Sequence, residues 1–253
     1  MSLFDWILLI LQKFGPNFLK GTGYTLLMSI TGTLVGFLIG LLIAIVRTVP
    51  VKKNTFGFYL FKVINFILGA YIEIIRGTPM MVQALIIHYS LFAPNNVPPL
   101  LSALIIISVN TGAYMAEIVR GGIISVDKGQ FEGAHSIGMT HMQTMVHVVL
   151  PQAIRNIMPS IGNEFVVNIK DSSVLSVISI TELMFYAKSA GGTYAKYVPA
   201  YIICAVIYFV LTFTVTRILR LIEKKMNGSE NYTICGSQSD SMAEIHVKGD
   251  ANA

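Results

Sequence analysis

The stretch YTLLMSITGTLVGFLIGLLIAIV, residues 24–46, carries no charged side chain. A helix needs about 20 predominantly apolar residues to cross roughly 30 Å of hydrocarbon. The stretch therefore predicts a membrane span. Gly32, Gly36 and Gly40 recur within it at every fourth residue and predict a small-residue ridge that allows another helix to approach closely. We interpret the ridge as a packing device, in part for contact between subunits.

The composition of the whole chain is that of a membrane protein. Of its 253 residues, 54% are hydrophobic and 12% are charged, and soluble domains carry about 25% charged residues. The mean hydropathy is +0.67. The net charge is +5, but the basic residues follow the ends of apolar stretches, which indicates membrane orientation and not nucleic-acid binding. The two cysteines, Cys204 and Cys235, predict no disulfide framework.

Five membrane spans are predicted, at about residues 24–46, 79–93, 100–119, 152–180 and 199–216. We expect residues 1–20 to form an N-terminal interfacial segment, residues 21–222 the transmembrane domain, and residues 223–253 a polar tail without ordered structure. With the N-terminus outside and the C-terminus inside, most of the 18 Lys and Arg residues are cytoplasmic, as the positive-inside rule requires.

The segment between the first two spans is ambiguous. Residues 56–75 mix aromatic and aliphatic residues with charges, which predicts an interfacial helix. Pro79 is expected in the first turn of the next helix, where the N–H group that proline lacks would have no partner within the helix. We interpret the sequence RGTP, residues 76–79, as a bend with a membrane-edge anchor in preference to an anion site.

The segment EGAHSIGMTHMQTMVHVVLP, residues 132–151, lies between the third and fourth spans, on the predicted cytoplasmic side. Apolar residues recur there at helical spacing before and after Gly138, which predicts two short amphipathic helices that meet at this glycine. Pro151 is expected to start the next helix. Period alone leaves open whether this apolar ridge packs on the chain's own spans or docks a partner.

Motif order favours the docking function. Glu132 and Ala134, followed by Gly138 and then by Val148-x-Leu150-Pro151, resemble the EAA loop of ABC-importer permeases. Gly133 stands where the usual motif has its first alanine, and Val148 where isoleucine is common. The blocks at 71–83, 110–134 and 150–183 are similar to the polar-amino-acid branch of these permeases, which includes histidine and glutamine uptake systems. The resemblance covers roughly residues 20–222.

The resemblance implies an all-α integral membrane protein of about five transmembrane helices with type I (MetI-like) importer architecture. It also implies that the loop at 127–150 forms coupling helices that dock into a groove on a cytoplasmic ATPase. The expected coupling residues are Gln130, Phe131, Glu132, Gly133, Ala134, Ile137, Gly138, Met139, Met142, Leu150 and Pro151.

The expected partners follow from the same resemblance. They are an ABC ATPase dimer, a second permease subunit that is identical or paralogous, an extracytoplasmic solute-binding protein, membrane lipid, and a polar or charged L-amino acid as substrate. The sequence contains no G-x-x-x-x-G-K-[ST] motif, so we expect ATP and Mg on the ATPase, and no cofactor, metal or catalysis on this chain. The expected location is the bacterial plasma (inner) membrane, with several crossings.

Polar residues within the third and fourth spans are candidates for a substrate path, because an ionisable group at mid-membrane costs about 2.5–3.5 kcal/mol by insertion scales. The candidates are Asn110, Tyr114, Glu117, Ser160, Asn163, Glu164, Asn168, Lys170 and Asp171. Their helical spacing favours a water-filled path or a subunit interface over lipid. Glu117 could instead pair with Arg120, Glu164 could belong to a structural ion pair, and Lys170 with Asp171 could hold a bend.

Two other functions remain open at this stage. One is an ion-gradient-driven secondary transporter or channel, with Glu164, Lys170 and Asp171 as relay groups. The other is a membrane scaffold that only recruits a partner. His135, His141 and His147 recur every six residues, which spreads them around a helix, so no metal site is expected.

Overall fold

The computed structural model describes residues 2–48, 56–226, 232–235 and 244–247. Its α-helices are α1 (Leu3–Thr48), α2 (Phe56–Gly77), α3 (Met80–Ile87), α4 (Pro99–Ile124), α5 (Lys128–Ser136), α6 (His141–Thr144), α7 (Leu150–Asp171), α8 (Leu183–Tyr194) and α9 (Tyr197–Met226). π-Helical turns at His88–Phe92 and Met145–Val149 and 3₁₀ turns at Ala93–Asn95 and Ser172–Ile178 connect some of them. Strands β1 (Tyr232–Cys235) and β2 (Glu244–Val247) pair antiparallel.

Among the described residues, four helices are long and apolar enough to cross a membrane: α1, α2 from Gly57 to Gly77, α4, and α9 as far as Lys225. The predicted all-α membrane architecture is confirmed. The segment predicted to be interfacial, 56–75, lies in α2 and has spanning length. The tail, for which no ordered structure was expected, contributes two short strands among its described residues.

Helix α1 is longer than the span that the sequence predicts. Its 46 residues join the expected interfacial segment and the span at 24–46 in one helix that runs through Pro16. The N-terminal part buries Ile10 and Phe18 against Leu183 of α8 and Ile203 of α9. An apolar contact of this kind gives residues before 20 a packing partner inside the protein, so this segment continues as helix.

The predicted span at 79–93 is broken into short pieces. Pro79 adopts an extended conformation (φ −64°, ψ 133°) and precedes α3, which has eight residues. The π-helical turn at His88–Phe92 follows directly. Proline disfavours helical backbone in the residue before it, which accounts for the break between α2 and α3 at Thr78.

The glycine ridge of α1 packs on α4 of the same chain. A Cβ atom added to Gly40 would lie 2.5 Å from the Cβ of Met115, and one added to Gly36 would lie 2.8 Å from the side chain of Thr111. Gly32 faces Ile107 in the same way. The close approach predicted from the glycine spacing is therefore present, and α4 of the same chain occupies it.

Four hydrophobic clusters form the interior. The first joins α1, α8 and α9, and the second joins Met28 of α1 with Ala84, Ile106 and Leu175. The third, which contains Val119 and Ile157 and is called the inner cluster, combines α1, α4, α7 and the segment between α4 and α7. The fourth joins α1, α2 and α4. Helix α1 contributes to all of them.

Candidate coupling surface and substrate path

Two short helices form the segment between α4 and α7, as predicted. The side chain of Asp127 caps α5 by accepting a hydrogen bond from the Gly129 amide at 2.6 Å. Thr140 and Gln143 form a reciprocal capping box at the start of α6, with Thr140 N donating to Gln143 Oε1 at 2.9 Å and Gln143 N to Thr140 Oγ1 at 3.3 Å. Such caps satisfy amide groups that a helix leaves unpaired. Both short helices are thus fixed locally.

Gly138 lies between these two helices with φ +86°. This left-handed region is open to glycine and costly for side chains with a Cβ atom. The Gly138 amide donates to the His135 carbonyl oxygen at 3.0 Å and the Met139 amide to that of Ala134 at 3.1 Å. The glycine therefore turns the chain sharply from α5 towards α6.

The apolar residues of this segment divide into two groups. Ala134, Met145 and Val149 are buried, with at most 6% of their surface exposed. Ile137 and Met142 are 78% and 59% exposed. One side of the ridge packs on the chain's own helices, which is the first alternative that the sequence left open. The other side is not covered by any described residue, which is compatible with docking of a partner.

The buried side connects the segment to the membrane helices. Met145 and Val149 pack with Ala44 of α1, Val119 of α4 and Ile157 of α7, and Phe131 packs against the same cluster. Leu150 and Pro151 begin α7 directly after the π-helical turn. The segment between α4 and α7 is therefore packed directly against α1, α4 and α7.

The exposed side forms a surface with a concavity. Ile137, Gly138, Met139, Gln143 and His147 line an open cavity of about 390 Å³. Gln130, Glu132 and Gly133 are exposed on α5, beside this cavity in sequence. We define the coupling surface as the exposed residues from Gln130 to His147. Their mixture of apolar and polar groups is suited to a protein contact.

Two of the candidate path residues are committed to the interior. Asn168 of α7 is 4% exposed; its amide donates to Thr33 Oγ1 at 2.9 Å and its oxygen accepts from Thr111 Oγ1 at 3.0 Å. Asn110 is 8% exposed and donates to Gln83 Oε1 at 2.9 Å. These amides tie helices together, so they do not line an open path in this structure.

Glu117 is held by two arginines. Its Oε1 lies 3.2 Å from Nη1 of Arg47, at the end of α1, and its Oε2 lies 2.8 Å from Nη2 of Arg120. The pairing with Arg120 is the alternative that the sequence left open. Arg47 was not anticipated, because its distance of 70 positions along the chain hides the contact.

The remaining candidates lie at the surface of α4 and α7. Tyr114, Glu164 and Asp171 are half-buried, and Ser160, Asn163 and Lys170 are exposed. Lys170 lines an open groove between α7 and α9, together with Arg217 and Arg220. Asn163 lines a neighbouring groove, together with Arg220. Asp171 is the last residue of α7, where the backbone tightens into a 3₁₀ turn. The candidates therefore do not form one row.

Sequence reasoning missed a buried carboxylate at the start of α8. Glu182 has no exposed surface, and its oxygens accept hydrogen bonds from the amides of Met184 (2.8 Å) and Phe185 (2.7 Å) and from Tyr208 Oη (2.9 Å). An acidic residue directly before an apolar run is a helix N-terminal signal. The position of Glu182 directly before Leu183, Met184 and Phe185 is the signal from which the cap could have been found.

Two of the three histidines of the coupling segment make local contacts. Nδ1 of His135 lies 2.6 Å from the Phe131 carbonyl oxygen and Nδ1 of His147 lies 3.1 Å from that of Gln143. Across the described ranges, no group of three or more His, Cys, Asp or Glu side chains is arranged to hold a metal ion.

A family model for the inner membrane component of binding-protein-dependent transport systems matches residues 36–228. The L-cystine transport system permease protein TcyB of Bacillus subtilis (strain 168) is 36% identical over 222 residues, which cover 87% of this chain and 90% of that protein. The glutamine transport system permease protein GlnP of Escherichia coli (strain K12) is 33% identical over 214 residues, 83% of this chain and 93% of the relative.

Two solved structures of ABC transporters contain chains with a similar fold. A chain from the crystal structure of an amino acid ABC transporter with histidines superposes with a TM-score of 0.76 at 37% identity, over 89% of this chain and 99% of the other. A chain of the inward-facing MetNI methionine ABC transporter superposes with a TM-score of 0.64 over 84% of this chain and 99% of its own length. At 17% identity, the second match supports the fold alone.

Proposed function

Because the chain belongs to the family of binding-protein-dependent transport system inner membrane components and is a permease subunit of an amino acid ABC importer, we propose that it carries a polar or charged L-amino acid inward across the bacterial plasma membrane. ATP hydrolysis on a separate chain supplies the energy. The relatives are named for glutamine and for L-cystine, which makes these two amino acids the first substrates to assay.

The observation that carries the proposal is the two-sided coupling segment. Its outer side leaves Ile137 and Met142 exposed, and its inner side buries Met145 and Val149 among helices of the membrane part. A partner that grips the outer side would move α1, α4 and α7 through the inner side. A dimer of ABC ATPases with ATP and Mg is the partner that this function requires.

In the proposed cycle, closing of the ATPase dimer pulls the coupling surfaces of two permease subunits together. The inner cluster around Val119 and Ile157 transmits this displacement, and the path changes from inward-open to outward-open. A solute-binding protein delivers the amino acid from outside. The second permease subunit, identical or paralogous, completes the path. The chain itself moves the solute and performs no chemical step.

We propose an orientation with the N-terminus outside and the C-terminus inside. It is supported by the basic residues in the last turns of α1 and α9, which are Arg47, Lys224 and Lys225, under the positive-inside rule. A membrane-impermeant thiol reagent should then leave Cys235 unlabelled in intact cells and label it after permeabilisation. Cys204 is 3% exposed. A Cys235→Ser variant measures the background labelling of Cys204. Labelling of Cys235 in intact cells would reverse the orientation.

The test of the function is co-purification from native membranes in mild detergent. A tagged chain should retain an ATPase, identified by mass spectrometry and by ATP hydrolysis in the eluate. Ile137→Glu should release the ATPase, because a charge replaces an exposed apolar contact, and Ile137→Leu should retain it. If the chain carries no ATPase and uptake survives ATP depletion but stops when the proton gradient collapses, the proposal fails in favour of the ion-driven transporter.

A further inference from the structure

Helix α9 carries its first charged residues where the apolar part of its sequence ends. The run from Val198 to Thr216 contains no charged residue. At 1.5 Å per residue this run is about 28 Å long, which is close to the roughly 30 Å of hydrocarbon in a bilayer. Arg217 and Arg220 follow directly, and both side chains are exposed. They therefore lie at the level where the hydrocarbon ends and the lipid head groups begin.

The two grooves between α7 and α9 open beside these arginines. The first has a volume of about 260 Å³, and Lys170 of α7 lines it together with Arg217 and Arg220 of α9. The second has a volume of about 140 Å³ and shares Val166, Thr216 and Arg220 with the first. Because they share these residues, the grooves adjoin, and we treat them as one groove with cations on both of its walls.

The positive charges of this groove are not balanced within the described chain. Among the described residues, Lys170, Arg217 and Arg220 form no ion pair. Of the described residues that line the groove, only Glu223 is acidic, and Asp171 does not line it although it follows Lys170 in sequence. Three cations against one carboxylate leave an excess of two positive charges. The groove therefore favours an anionic occupant.

The wall of the groove changes from cationic to aromatic along α9. Cζ of Arg217 lies 4.9 Å from the centre of the Phe213 ring, and the Phe213 ring stacks on the Phe209 ring with 5.8 Å between their centres. Phe209 is 66% exposed and Phe213 is 48% exposed. Both rings belong to the uncharged run of α9, so they lie at the depth of lipid acyl chains. An occupant of this groove must therefore be apolar at one end and anionic at the other.

We propose that the groove between α7 and α9 binds an anionic phospholipid. Its phosphate lies on Arg217 and Arg220, and one acyl chain follows the rings of Phe213 and Phe209. A guanidinium binds phosphate oxygens through two parallel charge-assisted hydrogen bonds, and the face of Phe213 orients that of Arg217. Lys170 adds a third cation from the opposite wall. This site is separate from the coupling surface and does not depend on which solute the protein carries.

A lipid explains the groove better than a soluble anion or another protein chain does. A free phosphate would satisfy the cations, but it would leave the exposed rings without an apolar partner. A protein chain would have to place acidic side chains at the edge of the hydrocarbon, where ionisable groups are costly. Anionic phospholipids already carry their negative charge at this level, and basic pockets between membrane helices bind their head groups.

The experiment measures lipid binding to the detergent-purified full chain, together with any subunits that it retains, by native mass spectrometry. Phosphatidylglycerol is compared with phosphatidylcholine of the same acyl chains, which has no net charge. Glycerophosphoglycerol, which is the same head group without acyl chains, and inorganic phosphate are added as competitors. The test variant is Arg217→Gln/Arg220→Gln. Its control is Lys224→Gln/Lys225→Gln, which removes the same charge from exposed positions of α9 that do not line the groove.

The unaltered protein should bind phosphatidylglycerol at least about tenfold more tightly than phosphatidylcholine, since lost charge-assisted bonds have that size. Arg217→Gln/Arg220→Gln should abolish this preference, and Lys224→Gln/Lys225→Gln should keep it. Equal affinity of the unaltered protein for both lipids would overturn the site. An equal loss in both double variants would overturn it too, because it would indicate general attraction to a basic helix end. Displacement of the lipid by glycerophosphoglycerol or phosphate at similar concentration would assign the groove to a soluble anion instead.

A second measurement uses the unaltered protein and is therefore independent of how the variants fold. The protein is reconstituted in vesicles of phosphatidylcholine and a phosphatidylglycerol that carries a photoreactive diazirine in one acyl chain. After illumination, crosslinks should be more frequent at Phe209 and Phe213 than at Leu34 and Leu38 of α1, which are 61% and 57% exposed. Equal crosslinking of both pairs would indicate bulk lipid only. Crosslinks at α1 without any at Phe209 and Phe213 would show that another subunit covers the groove. Either result would overturn the proposal.

Discussion

Asn168 of α7 donates a hydrogen bond to Thr33 of α1 across 135 positions of the chain, at 2.9 Å. The same amide accepts a hydrogen bond from Thr111 of α4 at 3.0 Å. One side chain thus joins three helices in the interior. Inside a membrane protein such bonds replace hydration that the bilayer does not provide, so this amide is a structural clamp.

Asn168→Ala should lower the thermal stability of the detergent-purified protein. It leaves the hydroxyl groups of Thr33 and Thr111 buried without this partner, and an unsatisfied buried polar group costs about 1–3 kcal/mol. Melting temperature measured by a thiol-independent method such as scanning fluorimetry of the single Trp6 reports the loss. Asn163→Ala, at an exposed position of the same helix, should melt as the unaltered protein does. Equal melting of both variants would contradict the clamp.

Gly40→Ala should destabilise the packing of α1 on α4. The added methyl group would lie 2.5 Å from Met115 Cβ and 2.6 Å from the Ala116 amide nitrogen, and overpacking of this kind costs about 1–3 kcal/mol. Gly23→Ala is the matched control on the same helix, because nothing lies within 4 Å of its added Cβ. We expect Gly23→Ala to leave the melting temperature unchanged or slightly raised. A Gly40→Ala protein of unaltered stability would exclude close packing here.

Gly138→Glu should leave the protein in the membrane but uncouple uptake from ATP hydrolysis. The substitution forces a side chain into φ +86° and adds a charge at the coupling surface. The measurement is substrate uptake relative to ATP hydrolysis in the reconstituted complex. Gly121→Ala is the control, because Gly121 lies in α4 outside the coupling surface and nothing lies within 4 Å of its added Cβ. Normal uptake by Gly138→Glu would show that this turn is not needed for coupling.

Glu182→Ala should destabilise α8 and its packing on α9. It removes the acceptor for the amides of Met184 and Phe185 and for Tyr208 Oη. Loss of a helix cap and of a buried acceptor together cost at least about 2 kcal/mol. Tyr208→Phe removes one of the three bonds and should cost less, which hydrogen exchange of the α8 amides can resolve. A larger loss in Tyr208→Phe would contradict the assignment of Glu182 as the cap.

Much of the fold can be predicted because membrane helices leave strong local patterns. The charge-free run at 24–46 and the spacing of Gly32, Gly36 and Gly40 depend only on neighbouring positions. The turn at Gly138 and the start of α7 near Pro151 are equally local, since both follow from backbone restrictions of single residues. The structure agrees with each of these.

The candidate path could be predicted only in part. Helical spacing identifies a shared face, but it gives no information on whether that face meets water or another helix. Asn168 follows the same spacing as Glu164, yet α1 and α4 enclose its amide. Arg76 and Tyr114 are 38 positions apart, and their contact depends on how α2 ends. Contacts between elements of this kind have no signature in a single sequence.

Helix α1 contributes to each of the four clusters described above. Ile10 and Phe18 belong to the first, Met28 to the second, Ala44 to the third and Ile43 to the fourth. Helix α1 also precedes every other described helix along the chain. Each later described helix is therefore synthesised after the helix on which it packs. The apolar faces of the later described helices can therefore pack on α1 before the residues that follow them have been synthesised.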